Sequence, residues 1–465
     1  MSDENPYLTG SIPQLFINNA LPIIMVMVVN GLLNVVDAFY LGRFVGPDAL
    51  TAVTLVFPLF MVLVASASLV SAGTASILAR RLGAGDLPTA QRTFAAAQRL
   101  TVMVSLVLVM LFFLSREPML SALANGDARL AEMGNTYILP LVLFAPATFV
   151  LNLQYDTLRS EGRVALMTRT ALMVTGLNII FNFVLINIAG LGVLGSSLGT
   201  ILAQAVALAT VLRHRLTGKT RIRAFSHCPF PDWETWREIV RLGLPSALNF
   251  IGVSLLSVVV ISRVQTYADS MYAETIAAYG VISRLNAFSF LPLLGLSLAA
   301  QAIIGNNVGA GAYARSNAGL RVALGFALGY CAVIELIMIL GAKGLGAIFV
   351  SDPMVIDEVG RILPVTISLF FFFGMNTVLA GYFQALGEAR RAAIFSLAQI
   401  YLFTAPLTFL LPHLIGEWGI WIAAPAGHFS MALLGATVLF ITARQTGRRF
   451  GVFLGDAKAP AQAHL

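Results

Sequence analysis

Apolar runs of about 20 residues recur along the whole chain, and short polar segments separate them. A helix needs about 20 mostly apolar residues to cross the ~30 Å hydrocarbon core of a bilayer. The pattern predicts twelve spans, at about 15–38, 52–78, 94–114, 135–157, 166–188, 193–212, 239–262, 276–304, 317–341, 361–385, 392–413 and 419–442. The longest connection, about 213–238, is too short for a soluble catalytic domain.

Composition agrees with this interpretation. Of the 465 residues, 58% are hydrophobic and only 11% are charged, whereas soluble domains carry roughly a quarter charged residues. Disorder requires low hydrophobicity, so the same numbers exclude it. Two cysteines, Cys228 and Cys331, exclude a disulfide scaffold. We therefore expect an all-α integral membrane protein.

The basic residues predict the orientation. With twelve spans both termini lie on one side, and 22 of the 29 Lys and Arg residues fall in loops on that side, against six on the other and Arg284 within a span. Because cytoplasmic loops carry the excess of Lys and Arg, we expect both termini to be cytoplasmic. The net charge of +7 and the basic loop 213–223 then indicate topology and not a nucleic-acid partner.

Short matches at an offset of 223 to 226 indicate an internal repeat of six spans. They are Leu21-Pro22 with Leu244-Pro245, Gly83-Ala84-Gly85 with Gly309-Ala310-Gly311, Gly162 with Gly387, and Gly192-x-x-Gly195 with Gly416-x-x-Gly419. Six is an even number, so both halves enter the membrane in the same sense, as in the parallel repeats of secondary transporters. This predicts two pseudo-symmetric six-helix bundles around a central cavity: an amino-terminal lobe 1–213, a cytoplasmic linker 214–238, a carboxy-terminal lobe 239–443 and a cytoplasmic tail 444–465.

Asp37 is the ionisable residue that stands out at membrane depth. Ionisable groups within spans are costly and usually face a cavity. Polar residues at helical spacing accompany it on three spans: Asn30 and Asn34 on the first, Asn178 and Asn182 on the fifth, and Thr200 and Gln204 on the sixth. Their similar depth predicts one hydrated pocket in the outer half of the amino-terminal lobe.

The repeat provides an internal control for this pocket. The positions that match Asp37, Asn182 and Thr200 in the second half hold Val260, Pro406 and Ala424, so the fold alone does not require the polar groups. Desolvation disfavours the charged form of a carboxylate, so Asp37 could exchange a proton or pair with a cation as the pocket opens and closes. We hypothesise that Asp37 couples transport to an ion gradient. The alternative is an interfacial residue that reaches lipid headgroups beside Arg43.

Other residues within spans have less specific interpretations. Glu335 is expected to pair with Lys343 or Arg361, and Asp156 with Arg159 at the surface. Arg284 either contacts substrate, caps backbone carbonyls or pairs with a carboxylate. Methionines such as Met173 either line an adaptable cavity or face lipid.

An enzyme is not expected from this sequence. The five histidines form no zinc-binding pair, and the Gly-Ala-Gly segments lack the Lys-Ser/Thr of a phosphate-binding loop. We predict no cofactor and no certain metal site.

Several of these segments, in this order, resemble the multidrug and toxic compound extrusion (MATE) transporters over nearly the full chain. The segments are Leu21-Pro22, Asp37, Arg81-Leu82-Gly83-Ala84-Gly85, Asn178-Ile179-Ile180-Phe181-Asn182, Gly192-Val193-Leu194-Gly195 leading to Thr200, and Asn306-Asn307-Val308-Gly309-Ala310-Gly311. An acid in span one without acids at the matching second-lobe positions is similar to the DinF-like branch. The resemblance implies efflux of organic, cationic compounds driven by inward H⁺ or Na⁺.

By match, Asp37 would be the coupling carboxylate, Asn178 and Thr200 its partners, and Pro22 the hinge of span one. Pro22 also qualifies as a kink because it removes a backbone donor. Relatives with a clear cation site carry a second carboxylate where this chain has Asn182, which favours H⁺ over Na⁺. A Na⁺ site would comprise Asp37, Asn178, Asn182 and Thr200.

Two rival functions follow from the same pattern. A flippase for lipid-linked oligosaccharides or lipids, from the same superfamily, should carry a cluster of basic residues in its cavity, whereas here Arg284 alone is clearly within a span. A membrane scaffold would not require a polar face in one lobe only. The expected substrate cavity includes Asn30, Met173 and Arg284. We expect a monomer in the inner membrane.

Overall fold

The computed structural model describes residues 5–124, 126–218, 220–224, 232–268 and 271–455, apart from the side chains of Asn34 and Val35. Cys228 and the end of the expected tail lie outside these residues. The helices of the first half are α1 Ile12–Val45, α2 Pro47–Gly83, α3 Leu87–Leu123, α4 Ala128–Leu143, α5 Ala145–Ser160, α6 Val164–Ile188 and α7 Gly192–Leu216. Those of the second half are α8 Trp233–Tyr267, α9 Tyr272–Gly309, α10 Tyr313–Leu340, α11 Ala342–Phe349, α12 Pro353–Thr366, α13 Phe370–Ala385, α14 Ala389–Ile415 and α15 Trp418–Thr446.

The described residues contain ten helices that are each long and apolar enough to cross a membrane. The pairs α4–α5 and α12–α13, each bent by 55°, bring the number to twelve if each pair is one span, in agreement with the twelve predicted runs. The apolar pattern predicted each of these pairs as one continuous span. Pro140 and Pro364 precede the bends, and proline interrupts the hydrogen-bond ladder of a helix.

The chain divides into two compact units that do not follow the two halves of the sequence exactly. The first unit is Pro22–Ile251, and the second unit combines Met1–Leu21 with Gly252–Leu465. Thus α1 changes unit at Pro22, and α8 changes unit after Ile251. The lobe boundaries expected from the sequence remain predictions.

In the first unit, α2 and α8 approach to backbone contact through glycine. A Cβ on Gly73 would lie 2.0 Å from the carbonyl oxygen of Ile239, and one on Gly243 would lie 1.7 Å from that of Leu69. Small residues permit such close packing between membrane helices. The early part of α8 is therefore fixed to this unit.

In the second unit, the segment before α1 is held against the end of α9. Asn307 Nδ2 donates to the carbonyl oxygen of Tyr7 (3.1 Å), and the buried Tyr7 hydroxyl donates to Asn19 Oδ1 (3.3 Å). Arg315 Nη1 donates to the carbonyl oxygen of Gly10 (2.9 Å). These bonds fix the amino-terminal part of α1 to this unit.

The repeated glycines have a conformational reason. Gly85 and Gly311 both follow a helix end with φ near +70° (75° and 70°), and Gly162 and Gly387 do so with φ of 77° and 81°. Only glycine adopts this left-handed conformation without steric cost. The offset seen in the sequence therefore marks the same turn in both halves.

Candidate functional site

Four of the predicted polar residues form one hydrogen-bonded chain in the first unit, across α1, α6 and α7. Asn182 Nδ2 donates to Asp37 Oδ1 (2.6 Å) and to Asn178 Oδ1 (3.0 Å). Asn178 Nδ2 donates to Thr200 Oγ1 (2.9 Å), whose hydroxyl donates to the carbonyl oxygen of Ser196 (3.2 Å). A carboxylate is thus linked through two amides and a hydroxyl to the backbone of α7.

Burial and packing define the geometry of this chain. Asn178 and Asn182 are 1% and 0% exposed, while Asp37 and Thr200 are partly buried. A Cβ on Gly199 would lie 2.1 Å from Asn182 Oδ1, so glycine at this position makes room for the amide. Asn182 Oδ1 makes no hydrogen bond within the described residues. The close contact between α6 and α7 therefore turns the Asn182 amide nitrogen towards Asp37.

Within the described residues, one donor, the Asn182 amide, reaches one oxygen of Asp37, and the other oxygen is left available. Asn182 commits both amide hydrogens, one of them to the carboxylate. Asp37 Oδ2 makes no hydrogen bond to the described residues. Hydrogen bonds to an ionised carboxylate are stronger than neutral ones, so Asn182 stabilises the deprotonated state, while Oδ2 remains able to accept a proton or a cation.

The other predicted residues lie outside this hydrogen-bonded chain. Asn30 Oδ1 accepts from Thr175 Oγ1 (3.3 Å), one turn of α6 before Asn178. Gln204 Oε1 accepts from Thr148 Oγ1 (2.6 Å), so it ties α7 to α5 and does not contact Asp37. The side chain of Asn34 lies outside the described part of the structure.

The remaining candidates are placed as follows. Met173 is partly buried on α6, and Pro22 stands where α1 changes unit. Arg284, on α9 of the second unit, is exposed, and its guanidinium makes no hydrogen bond or ion pair with the described residues.

The expected pairing of Glu335 is wrong. Lys343 pairs with Asp357 (2.7 Å), and Arg361 is held by Glu358 and Glu417. Glu335 Oε1 instead accepts the backbone N–H of Leu369 (2.9 Å), in the break between α12 and α13 where Leu369 has a φ of 64°. Lys343 and Arg361 each pair with a nearer carboxylate than Glu335. The break between α12 and α13 leaves the Leu369 N–H without a helical acceptor, and Glu335 accepts its hydrogen bond.

The pairing of Asp156 with Arg159 is confirmed at 2.9 Å, but its expected surface position is wrong because the Arg159 side chain is 3% exposed. Two residues near the site were missed. Thr175 lies on the same face of α6 as Asn178 and Asn182, so helical spacing could have revealed it. Gly199 carries no polar signal, and its role depends on how α6 and α7 pack.

Comparison with known proteins identifies the family. The MatE family model matches residues 22–184 and again 245–410. The chain belongs to the MatE family. The two matches begin 223 residues apart and end 226 apart, which confirms the internal repeat and its offset.

Curated relatives span nearly the whole MatE chain. A FAD transporter of Shewanella oneidensis is 25% identical over 93% of this chain and 95% of its own length. The multidrug export protein MepA of Staphylococcus aureus is 22% identical over 90% of this chain and 92% of its own length. The resemblance found from the sequence is confirmed at the level of the family. The DinF-like branch remains a prediction.

Solved structures share the fold. An outward-facing multidrug resistance MATE family transporter of the MOP superfamily matches with a TM-score of 0.84 at 22% identity, covering 96% of this chain and 98% of the other. A MOP superfamily transporter from Pyrococcus furiosus matches with a TM-score of 0.86 at 21% identity, with the same coverage. These matches confirm the expected class: an all-α membrane protein of two six-helix repeats.

Proposed function

We propose that this MatE protein is a secondary active efflux antiporter that exports organic, amphipathic cations in exchange for H⁺, with Asp37 as the coupling group. The observation that carries the proposal is the hydrogen bond from Asn182 to Asp37, which places one carboxylate on a buried amide and leaves its second oxygen available. The names of relatives, including multidrug export proteins, support the substrate class.

Exchange follows if H⁺ and the organic cation compete for the same carboxylate. A deprotonated Asp37 attracts a cation, and proton uptake at Asp37 removes that attraction and releases it. The hydrogen bond from the Asn182 amide to Asp37 persists in both states, because a protonated carboxyl group still offers its carbonyl oxygen as an acceptor. Asn182 would thereby keep Asp37 in place while its charge changes.

The donor arrangement favours H⁺ over Na⁺. Hard cations prefer oxygen ligands, but the Asn182 group that faces Asp37 is an N–H, and Asn182 Oδ1 faces Gly199. A Na⁺ ion that used Asn182 as an oxygen ligand beside Asp37 would require the Asn182 amide to turn over and lose its hydrogen bonds to Asp37 and Asn178. Proton exchange requires no such rotation.

Transport of a fluorescent organic cation in proteoliposomes, under an imposed pH or Na⁺ gradient, tests the proposal. We expect pH-driven transport by the wild type and a loss of at least tenfold in Asp37→Asn. Asp48→Asn is the matched control, because Asp48 lies in the same unit in an exposed pair with Arg129. Full gradient-driven transport by Asp37→Asn at normal expression would contradict the coupling role. Sodium-dependent, pH-independent efflux would replace H⁺ with Na⁺.

Phosphate-bearing substrates are a second candidate class. The Shewanella oneidensis relative is named for FAD, and the exposed guanidinium of Arg284 lacks a partner within the described residues, as a phosphate ligand would before substrate binds. A lipid-linked oligosaccharide would belong to the same class. Inhibition of cation transport by FAD in the wild type, relieved in Arg284→Gln but not in Arg321→Gln, would favour this class. Equal inhibition of all three proteins would exclude Arg284 as the phosphate ligand.

We also propose that both termini are cytoplasmic and that the protein functions as a monomer in the inner membrane. The excess of basic residues on the side of the termini supports the orientation. Labelling of Thr217→Cys and Asp127→Cys in intact cells tests the orientation, with each cysteine introduced alone into a chain whose own two cysteines have been replaced. We expect an impermeant reagent to react only at position 127.

A further inference from the structure

Residues 220–224, called the docked linker below, are held in a fixed position on the first unit. Arg223 N donates to Gln91 Oε1 (2.7 Å), and Gln91 Nε2 donates back to the Arg223 carbonyl oxygen (3.1 Å). Gln98 Nε2 donates to the carbonyl oxygen of Ala224 (3.2 Å). Ile222 and Ala224 are buried, whereas the Arg223 side chain between them is exposed.

A buried ion pair holds the other side of the docked linker. Arg215 and Glu161 pair at 2.7 Å with both side chains fully buried. Arg215 Nη1 also donates to the Ile222 carbonyl oxygen (2.8 Å), and Glu161 Oε2 accepts from Arg221 N (3.0 Å). Membrane topology requires positive charge near a span and does not require a fixed backbone. The ordered presentation of Arg223 therefore calls for another explanation.

A second exposed arginine lies beside the docked linker. Arg92, near the start of α3, is exposed like Arg223. Neither guanidinium group forms an ion pair or hydrogen bond within the described residues, although Arg92 interacts electrostatically with Asp86. Arg92 follows Gln91, and Gln91 binds the Arg223 backbone, so the docked linker brings Arg223 beside the start of α3.

Arg92 lies at the end of an exposed apolar face of α3. On this helix, Arg92 shares a face with Met103 and Met110, which are 11 and 18 residues further and exposed. Exposed apolar faces of membrane helices contact lipid tails, so the Arg92 guanidinium lies at the level of the lipid headgroups.

We propose that Arg92 and Arg223 bind the phosphodiester headgroup of an anionic phospholipid, and that the docked linker serves to hold this site in place. Guanidinium groups bind phosphate oxygens through paired N–H donors, and basic residues next to spans attract anionic lipids. The continuity with the exposed apolar face of α3 favours a lipid over a free anion. This interaction is separate from the proposed transport function and holds whether or not Asp37 couples to H⁺.

Thermal unfolding of the full chain in detergent, with added lipid, tests the proposal. We expect phosphatidylglycerol to raise the unfolding midpoint more than phosphatidylcholine does. In Arg92→Gln with Arg223→Gln, we expect the apparent affinity for phosphatidylglycerol to fall roughly ten- to thirty-fold. Arg43→Gln with Arg129→Gln is the matched control. In the predicted topology these two exposed arginines lie on the side of the membrane opposite the termini, so their replacement should leave that affinity unchanged.

Three results would overturn the proposal: an unchanged phosphatidylglycerol effect in the Arg92/Arg223 variant, an equal loss in the control variant, or equal stabilisation of the wild type by inorganic phosphate. The variant should fold as the wild type does in phosphatidylcholine, because neither guanidinium group forms a hydrogen bond or an ion pair with the described residues. Native mass spectrometry of the wild type gives a second measurement, in which retained phosphatidylglycerol should exceed retained phosphatidylcholine.

Discussion

Gly199→Ala tests whether the position of Asn182 determines transport. The added methyl group would lie 2.1 Å from Asn182 Oδ1, well inside van der Waals contact, so the amide must move. Overpacking of this kind costs about 1–3 kcal/mol, whereas alanine in place of glycine in a helix contributes about 1 kcal/mol of stability. We therefore expect a net destabilisation of about 0–2 kcal/mol.

The effect on transport should be larger than the effect on stability. Moving the Asn182 amide breaks its 2.6 Å bond to Asp37, and hydrogen bonds to charged groups contribute about 1.5–3 kcal/mol. If the bond positions Asp37 for exchange, the rate should fall about 10- to 100-fold. Proton-driven transport in proteoliposomes and thermal unfolding are measured on the same preparations.

Gly176→Ala is the matched control. Gly176 lies on α6, like Asn182, but a Cβ there meets no atom within 4 Å. This variant should transport as the wild type does and unfold at the same temperature or slightly above it. Normal proton-driven transport by Gly199→Ala would refute the reasoning that Asn182 must hold Asp37 in the observed geometry.

Three further predictions concern stability, measured by thermal unfolding. Arg215→Ala should cost about 3–5 kcal/mol because it leaves the Glu161 carboxylate buried and unpaired. Arg215→Met with Glu161→Leu should recover only part of the loss, because the Ile222 carbonyl oxygen and the Arg221 N–H still lose their partners; an equal loss in both would contradict this. Glu335→Leu should cost about 1–3 kcal/mol because the Leu369 N–H loses its acceptor, whereas Glu335→Gln keeps the acceptor and should be close to wild type. Asp86 caps α3, and the hydrogen bonds that it accepts from Thr89 lower the pKa of its carboxyl group. Its stabilisation, about 1 kcal/mol, is therefore fully present above the ordinary carboxyl pKa and is lost as the pH falls through the lowered pKa; Asp86→Ala should be less stable than wild type at neutral pH and equal to it in acid.

The apolar pattern predicts the spans well because each one is a local property of the sequence. All twelve predicted runs fall on helices or bent pairs in the structure, with ends that differ by up to nine residues. The 55° bends were not predicted, since proline within a span permits a kink without requiring one. The division of α1 and α8 between units was also not predicted, because it depends on contacts between distant segments, such as Gly243 with Leu69.

The polar site was predictable for a similar reason. Helical spacing placed Asn178 and Asn182 on one face, and the repeat showed that Asp37 is not required by the fold. Spacing alone could not show that Gln204 lies outside the hydrogen-bonded chain of Asp37. Gln204 follows Thr200 by four residues on the same face, yet it forms its hydrogen bond with Thr148 on α5. The prediction of a partner for Glu335 was wrong because the partner is the backbone N–H of Leu369, which is left without a helical acceptor by a break that the sequence does not reveal.

The exchange of helix segments between the units has a consequence for how the protein is assembled. A chain cut within 225–231 would yield two fragments, neither of which contains a whole unit. The amino-terminal fragment would lack Trp233–Ile251, and the carboxy-terminal fragment would lack the segment that ends at Leu21. Each unit could complete its packing only after it had bound a helix segment from the other fragment. We therefore expect that neither sequence repeat folds into a complete unit when it is expressed alone.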